Sequence, residues 1–324
     1  MTLPGRFQGA IAAWLAARGT GGLRGQAAAL SATYRAGGTS QSIDLASYLV
    51  ARLPATYAAV SHVLGEIAAR RPGFSPHSLL DAGSGPGTAS WAAVEAWPQL
   101  SRITFLDNAP DFLKLARSLA AEGPEPLAQA TALPGSIEAL PQGLSADLVV
   151  AAYALAELPL PRIAAAARAL WEASRGMLAI VEPGTPEGFA RIRAVREALL
   201  KEGAVPVAPC THGQACPIAG GDWCHFSVRL ARSRAHMHAK GASVPFEDER
   251  FSYLVLARDG EAAGSGRIIA PVVHAKPGST FRVCRAGRIE TLHVARRDKA
   301  SYKQARKLEW GDLAGPAIPQ EDKP

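Results

Sequence analysis

Apolar residues recur at helical spacing through the first part of the chain. Leu3, Phe7, Ile11, Trp14 and Leu15 make one such stripe. The glycine pairs Gly21–Gly22 and Gly37–Gly38 interrupt it, and Ser42–Leu53 and Tyr57–Arg70 continue it. From residue 78 the pattern changes to short apolar runs alternating with amphipathic stretches. Ser78–Asp81, Ile103–Asp107, Asp147–Ala152 and Met177–Glu182 read as strands. Thr88–Trp97, Asp111–Ala121, Pro161–Ser174 and Glu187–Glu202 read as the helices that follow them. This alternation predicts right-handed crossovers and a parallel, doubly wound α/β sheet. Phe251–Ala257, Arg267–Val273, Ser279–Cys284 and Glu290–Ala295 are short β-type runs, expected to form a small antiparallel unit packed on the sheet. The expected organisation is an N-terminal helical cap over 1–74, a Rossmann-like domain over 75–204, a cysteine-rich and basic β-containing extension over 205–312, and a loose tail over 313–324.

Composition adds the kind of partner. The chain has 324 residues, 48% of them hydrophobic, enough for a substantial core. No uncharged apolar run is long enough to predict a transmembrane helix, so no membrane contact is expected, and a monomer is favoured. The N-terminus lacks a compact apolar run with a small-residue cleavage site. No Asp or Glu precedes Asp44, and this Ala-rich start is read as a folded helical segment rather than a transit peptide. A bacterial cytoplasmic location is therefore expected, with the mitochondrial matrix as the alternative in a eukaryote. The net charge is +7. Arg282, Arg285, Arg288, Arg296, Arg297, Lys299, Lys303, Arg306 and Lys307 cluster against only Glu290 and Asp298. A basic strip of this kind points to a polyanion, most often RNA.

The segment Leu79-Leu80-Asp81-Ala82-Gly83-Ser84-Gly85-Pro86-Gly87-Thr88 is a strand running into a glycine turn and a helix. Backbone without Cβ atoms turns sharply and lets a ligand lie close, and the following helix offers free N–H groups. A dinucleotide site prefers G-x-G-x-x-G. Here Gly83, Gly85 and Gly87 alternate, with Asp81 four residues before the middle one. This resembles motif I of the class I S-adenosylmethionine (SAM)-dependent methyltransferases. The resemblance implies that Asp81, Gly83, Gly85 and Gly87 belong to the cofactor site, the glycines lining it, with Asp107, at the end of the next strand, on its ribose hydroxyls.

The acceptor side carries less. Tyr153 and Glu157 follow the strand ending near Ala152, and Glu182 ends the next one. They are weak catalytic candidates, and Tyr153 and Glu157 read equally well as a helix start and its solvated face. The Asn/Asp-Pro-Pro-aromatic motif of base amino-methyltransferases is absent. Pro209-Cys210 lies beyond a full helix, too far along for a cytosine-C5 nucleophile.

The four cysteines are Cys210, Cys216, Cys224 and Cys284. The first three punctuate a segment rich in Gly and Pro, which suits a loop that wraps an object. Four thiolates around one centre mean zinc or an iron–sulfur cluster; buried cysteines or a disulfide pair are the plainer alternatives. Zinc-ribbon C-x₂-C knuckles are missing, and so is the C-x₃-C-x₂-C signature of radical chemistry. The wider gaps suit a bulkier cluster. His212, His225, His236 and His238 lie close in sequence and are candidates for supporting contacts or a substitute ligand.

Four segments then resemble one family in order: Asp81–Ser90, Val181–Phe189, Pro209–Ser227 and Tyr302–Asp312. The chain resembles the Rsm22 family of methyltransferase-like small-ribosomal-subunit proteins, over about residues 30–312. The resemblance implies a SAM-dependent rRNA methyltransferase acting on the small ribosomal subunit. It also implies a 4Fe–4S cluster on Cys210, Cys216, Cys224 and Cys284, with zinc as the alternative metal. The competing expectation is a non-catalytic assembly factor that binds rRNA and uses the SAM fold and cluster as scaffold or sensor.

Overall fold

Short apolar runs separated by amphipathic helices build an eight-stranded sheet. The computed structural model describes residues 1–18, 44–315 and 318. The two glycine pairs, the start of the expected helix at 42 and most of the expected tail lie outside these residues. β1 (Ser78–Ala82), β2 (Arg102–Asp107), β3 (Thr131–Pro134), β4 (Ala146–Ala152) and β5 (Ser174–Pro183) run parallel in the order β3-β2-β1-β4-β5. β3 escaped the sequence pattern because it is short and only partly buried.

Two expectations are corrected here. The sheet is mixed, not wholly parallel. β8 (Phe246–Ala257) lies antiparallel between β5 and β6 (Val205–Ala208), and β7 (Phe226–Ala231) pairs with its other end. The run Phe251–Ala257 thus belongs to the large sheet rather than to the small β unit. Every residue of that run is buried, and a strand covered on both faces carries a continuous apolar run rather than an alternating one.

The pleat sends successive residues to opposite faces: Leu79 packs in one layer and Leu80 in the other. The first layer is formed by α1 (Gly5–Arg18), α2 (Leu45–Ala51), α3 (Leu53–Arg70), α4 (Thr88–Ala96) and α5 (Pro110–Ala120). In α1 the buried positions Phe7, Ala10, Ile11 and Trp14 make a single stripe, and the Phe7 ring stacks on Trp91 of α4 at 4.3 Å. After the short α6 (Glu125–Ala128), the opposite face is covered by α7 (Ile163–Ala173) and α8 (Pro186–Leu200), through Leu170, Trp171, Ile192 and Leu199.

Beyond α9 (Arg234–Lys240) comes the second sheet: β9 (Gly266–Ile268), β10 (Val273–His274), the hairpin β11 (Gly278–Arg285) and β12 (Arg288–Ala295), and β13 (Leu313–Ala314). Phe281, Val283, Leu292 and Val294, with Ala305 of α10 (Lys299–Ala305), form its own core. Among the described residues, no helix is long and apolar enough to cross a membrane.

Candidate functional site

The turn after β1 is tied to the end of β2. The Gly83 and Ser84 N–H groups donate to Leu106 O at 2.7 and 3.0 Å. Gly83, Gly85 and Gly87 all have left-handed φ values, +69°, +52° and +79°, which residues with a Cβ rarely adopt. Their surroundings differ. A Cβ on Gly83 would lie 2.4 Å from Ala154 Cβ, and one on Gly87 3.0 Å from the Phe105 ring. At Gly85 nothing comes nearer than 3.9 Å. The Gly85 N–H donates to Asp107 Oδ2 at 2.7 Å, and the Ala109 N–H to Oδ1 at 2.8 Å. Burial pushes the Asp107 carboxyl up, and these N–H groups pull it back.

Gly83, Gly85 and Asp107 line a cavity of about 210 Å³ whose other walls include Tyr48, Tyr153 and Glu157. Asp81 and Gly87 are not on its surface. Asp81 sits behind the turn, where its Oδ2 accepts from Ser90 N–H at 3.0 Å and Ser90 Oγ–H at 2.8 Å. Burial raises its carboxyl to about 7. Its part is to hold the turn against α4.

Tyr153 follows β4 with φ +61°, outside the range usual for a bulky residue. It is held from two directions. Its hydroxyl donates to Glu249 Oε1 of β8 at 2.9 Å, and the same oxygen pairs with Arg52 at 3.0 Å. The Arg52 guanidinium lies 4.4 Å over the Tyr153 ring. Sequence reasoning named Tyr153 but missed Arg52 and Glu249, which come from the turn before α3 and from the part of β8 that precedes the expected run Phe251–Ala257. Glu182 does not line the cavity. It is fully buried, pairs with Arg191 at 2.6 Å, and burial raises it to about 7 against that pairing.

A second cavity lies where α8, β8 and the small sheet meet. Cys210, Cys216, Cys224 and Cys284 all line it, with Arg196 and Arg267. The thiols are free. The segment between β6 and β7 that carries the first three is irregular, as its glycines and prolines predict. Cys284 arrives on β11. Burial first, and then the neighbouring cysteines, hold Cys224 well above the ordinary thiol range; the same causes push Cys284 up to about 12. Among the described residues, no group of His, Cys, Asp or Glu side chains is gathered to hold a metal ion. The sulfurs stand on the cavity walls rather than converging on one point. His212 Nε2 lies 3.5 Å from Cys284 Sγ, and His225 stacks on Trp223. His236 instead faces Glu247 at 3.3 Å, and His238 is exposed.

Sheet order, glycine turn and the acid that ends β2 together define a protein with the class I methyltransferase type of Rossmann-like fold. The chain matches the family described as "Mitochondrial small ribosomal subunit Rsm22" over residues 42–314, and it belongs to that family. It is 31% identical to the human mitochondrial ribosome assembly protein METTL17, over 82% of this chain and 61% of that protein. It is 25% identical to the mitochondrial Rsm22-cox11 tandem protein 2 of Schizosaccharomyces pombe, over 88% of this chain and 45% of that protein. The chain thus spans between about half and three-fifths of the length of these relatives. Similar solved structures include the magnesium protoporphyrin IX methyltransferase of Synechocystis with bound SAH, at TM-score 0.43 and 15% identity, covering 72% of this chain and 94% of that one. Another is the precorrin-6y C5,15-methyltransferase of Geobacter metallireducens, at TM-score 0.40 and 15% identity, covering 62% and 86%.

Proposed function

We propose that this chain binds SAM in the cavity between the glycine turn, Asp107 and Tyr153, and acts on the RNA of the small ribosomal subunit. The observation that carries the reading is the shared wall of Gly85 and Asp107. Backbone open on its ligand side stands 2.7 Å from a carboxylate. The Gly85 and Ala109 N–H groups donate to Asp107, with the Asn108 N–H a third, and a carboxylate offers about four acceptor positions, so capacity remains for a ribose hydroxyl. When bound, SAM supplies an electrophilic methyl group. Tyr153 positions the acceptor and Glu157 takes up its proton; such transfer needs alignment and exclusion of water more than strong acid–base chemistry.

The relatives' names support a ribosomal partner and favour the mitochondrial matrix over the bacterial cytoplasm. Arg288, Arg296, Arg297, Lys299, Lys303, Arg306 and Lys307 are exposed and would track the phosphate backbone. For the thiol cavity the reading is a 4Fe–4S cluster on Cys210, Cys216, Cys224 and Cys284, with zinc as the alternative. The donor chemistry fits either: four free thiols on the walls of one largely apolar cavity. Binding requires the irregular 209–225 segment to draw the sulfurs in. Iron, sulfide and zinc analysis of anaerobically purified protein decides between the metals.

The test of methyl transfer is mapping of methyl groups on small-subunit rRNA from cells with and without the gene. Loss of a methyl group supports the reading, and an unchanged map overturns it. The second reading is assembly without methyl transfer. It is favoured by the clamp of Arg52, Tyr153 and Glu249 at the acceptor end and by the name of the human relative. Under it, subunit assembly survives a Gly85 variant that no longer binds SAM.

A further inference from the structure

Three arginines line the thiol cavity; Arg193 pairs with Glu197 at 3.4 Å, and ordinary packing does not explain the other two. Arg196 is 3% exposed and Arg267 2%. Arg196 lies on the apolar stripe of α8, in sequence with Phe189, Ile192 and Leu199. Its Nη2 donates to His212 O at 2.9 Å and Gln214 O at 2.6 Å, and its Nε is buried without a hydrogen-bond partner. Among the described residues, no carboxylate lies within ion-pair distance of it. Arg267 donates to Pro209 O at 3.0 Å, to Gly311 O and to Glu66 at 2.8 Å, and its Nη2 is likewise buried and unpartnered. Glu66 is shared with Arg70 at 3.0 Å. Arg70 and Arg267 therefore share one carboxylate, Arg196 has no carboxylate partner among the described residues, and the cavity region carries a buried excess of positive charge.

A buried guanidinium without a counter-charge is strongly unfavourable, and protonated thiols offer none. Four thiolates on zinc or on an iron–sulfur core leave a net charge of about minus two. That charge has the sign the cavity lacks. We propose that Arg196 and Arg267 are the charge partners of an anionic tetrathiolate metal centre held by Cys210, Cys216, Cys224 and Cys284. They are positioning residues: they stabilise the charged centre and, through the carbonyls of residues 209, 212 and 214, hold the loop that brings three of its ligands. The inference rests on the metal reading above but not on the choice of iron or zinc.

The test uses the full chain, purified anaerobically, before and after removal of metal by a chelator. Arg196→Gln keeps a polar side chain without the charge, and Arg196→Lys keeps the charge. If the metal is iron, Arg196→Gln should lose it to chelator about tenfold faster or more. Its midpoint potential, read by dithionite titration, should move to more negative values, while Arg196→Lys stays near the wild type. With zinc, the release rate alone is read. Without metal, Arg196→Gln should melt no lower than the wild type, because the uncompensated charge is gone. An equal fall in melting temperature with and without metal, or failure to fold in either state, makes Arg196 a plain brace and overturns the inference. So does an unchanged release rate. Wild-type protein holding neither iron nor zinc sinks the metal reading itself, and this inference with it.

Discussion

Gly83 and Gly85 carry the same residue type for different reasons. Gly83 is required by the protein, because a methyl group there meets Ala154 Cβ at 2.4 Å. Gly83→Ala should lower stability by about 2–4 kcal/mol, combining overpacking with an unfavourable φ. Gly85→Ala meets open space and should cost about 1 kcal/mol, from its φ alone. If SAM binds here, Gly85→Ala should nevertheless lose much of its affinity for S-adenosylhomocysteine. Urea unfolding beside titration calorimetry separates the two effects; equal stability losses would contradict the assignment. Asp81 gives a pH signature. Its carboxyl titrates at 3.8 when unfolded and at about 7 when folded, through burial. Between those values the folded state keeps a proton that the unfolded state has lost, so stability falls as pH rises through this window and levels off above it. Glu182 follows the same course from 4.5 to about 7. Asp81→Asn should make the stability–pH slope between about pH 4 and 7 shallower. A slope equal to the wild type's would show that Asp81 titrates normally in the fold.

At the scale of elements, β8 links the two cavities. Within five residues it supplies Glu249 to the Tyr153 clamp, Ser252, whose hydroxyl donates to Cys224 O at 2.7 Å, and Tyr253 to the thiol cavity wall. Glu249→Ala removes the carboxylate that Arg52 and the Tyr153 hydroxyl share. It should cost about 2–3 kcal/mol in chemical unfolding; a loss below about 0.5 kcal/mol would show that the clamp is a surface pair of little weight. This element was the hardest to read from the chain. Its second half is apolar at every position but Ser252, so periodicity could identify a strand but not its sheet. The helices were easier, since their buried faces recur at a fixed spacing. That spacing also held an unread sign: Arg196 falls on the apolar stripe of α8, where a charge calls for a buried partner.

For the whole molecule, charge matters by where it is left exposed. Arg282 pairs with Asp222, and the buried Arg285 with Glu290 at 3.3 Å. These two members of the basic strip are committed to the fold. The others are on the surface. If the protein binds rRNA through them, replacing Arg296, Arg297 and Lys303 by Gln should reduce the slope of log affinity against log salt by about 2–3. Filter binding across a salt series measures this, and an unchanged slope would place the RNA surface elsewhere.

Local information was enough for the alternating strands and helices, the glycine turn and the irregular cysteine segment. Each depends on residues within a turn or two of one another: a hydrophobic period, a φ value open mainly to glycine, a run that cannot be helix or strand. Tertiary structure alone decided which distant parts meet. Tyr153 and Glu249 are 96 residues apart and become partners only because β8 enters the sheet out of chain order. Cys284 joins the other cysteines because β11 pairs with β9 beside their loop. The same burial separates arginines held inside the fold from those offered to a partner. Composition counts every charge alike, whereas the free energy of a charge depends on what surrounds it.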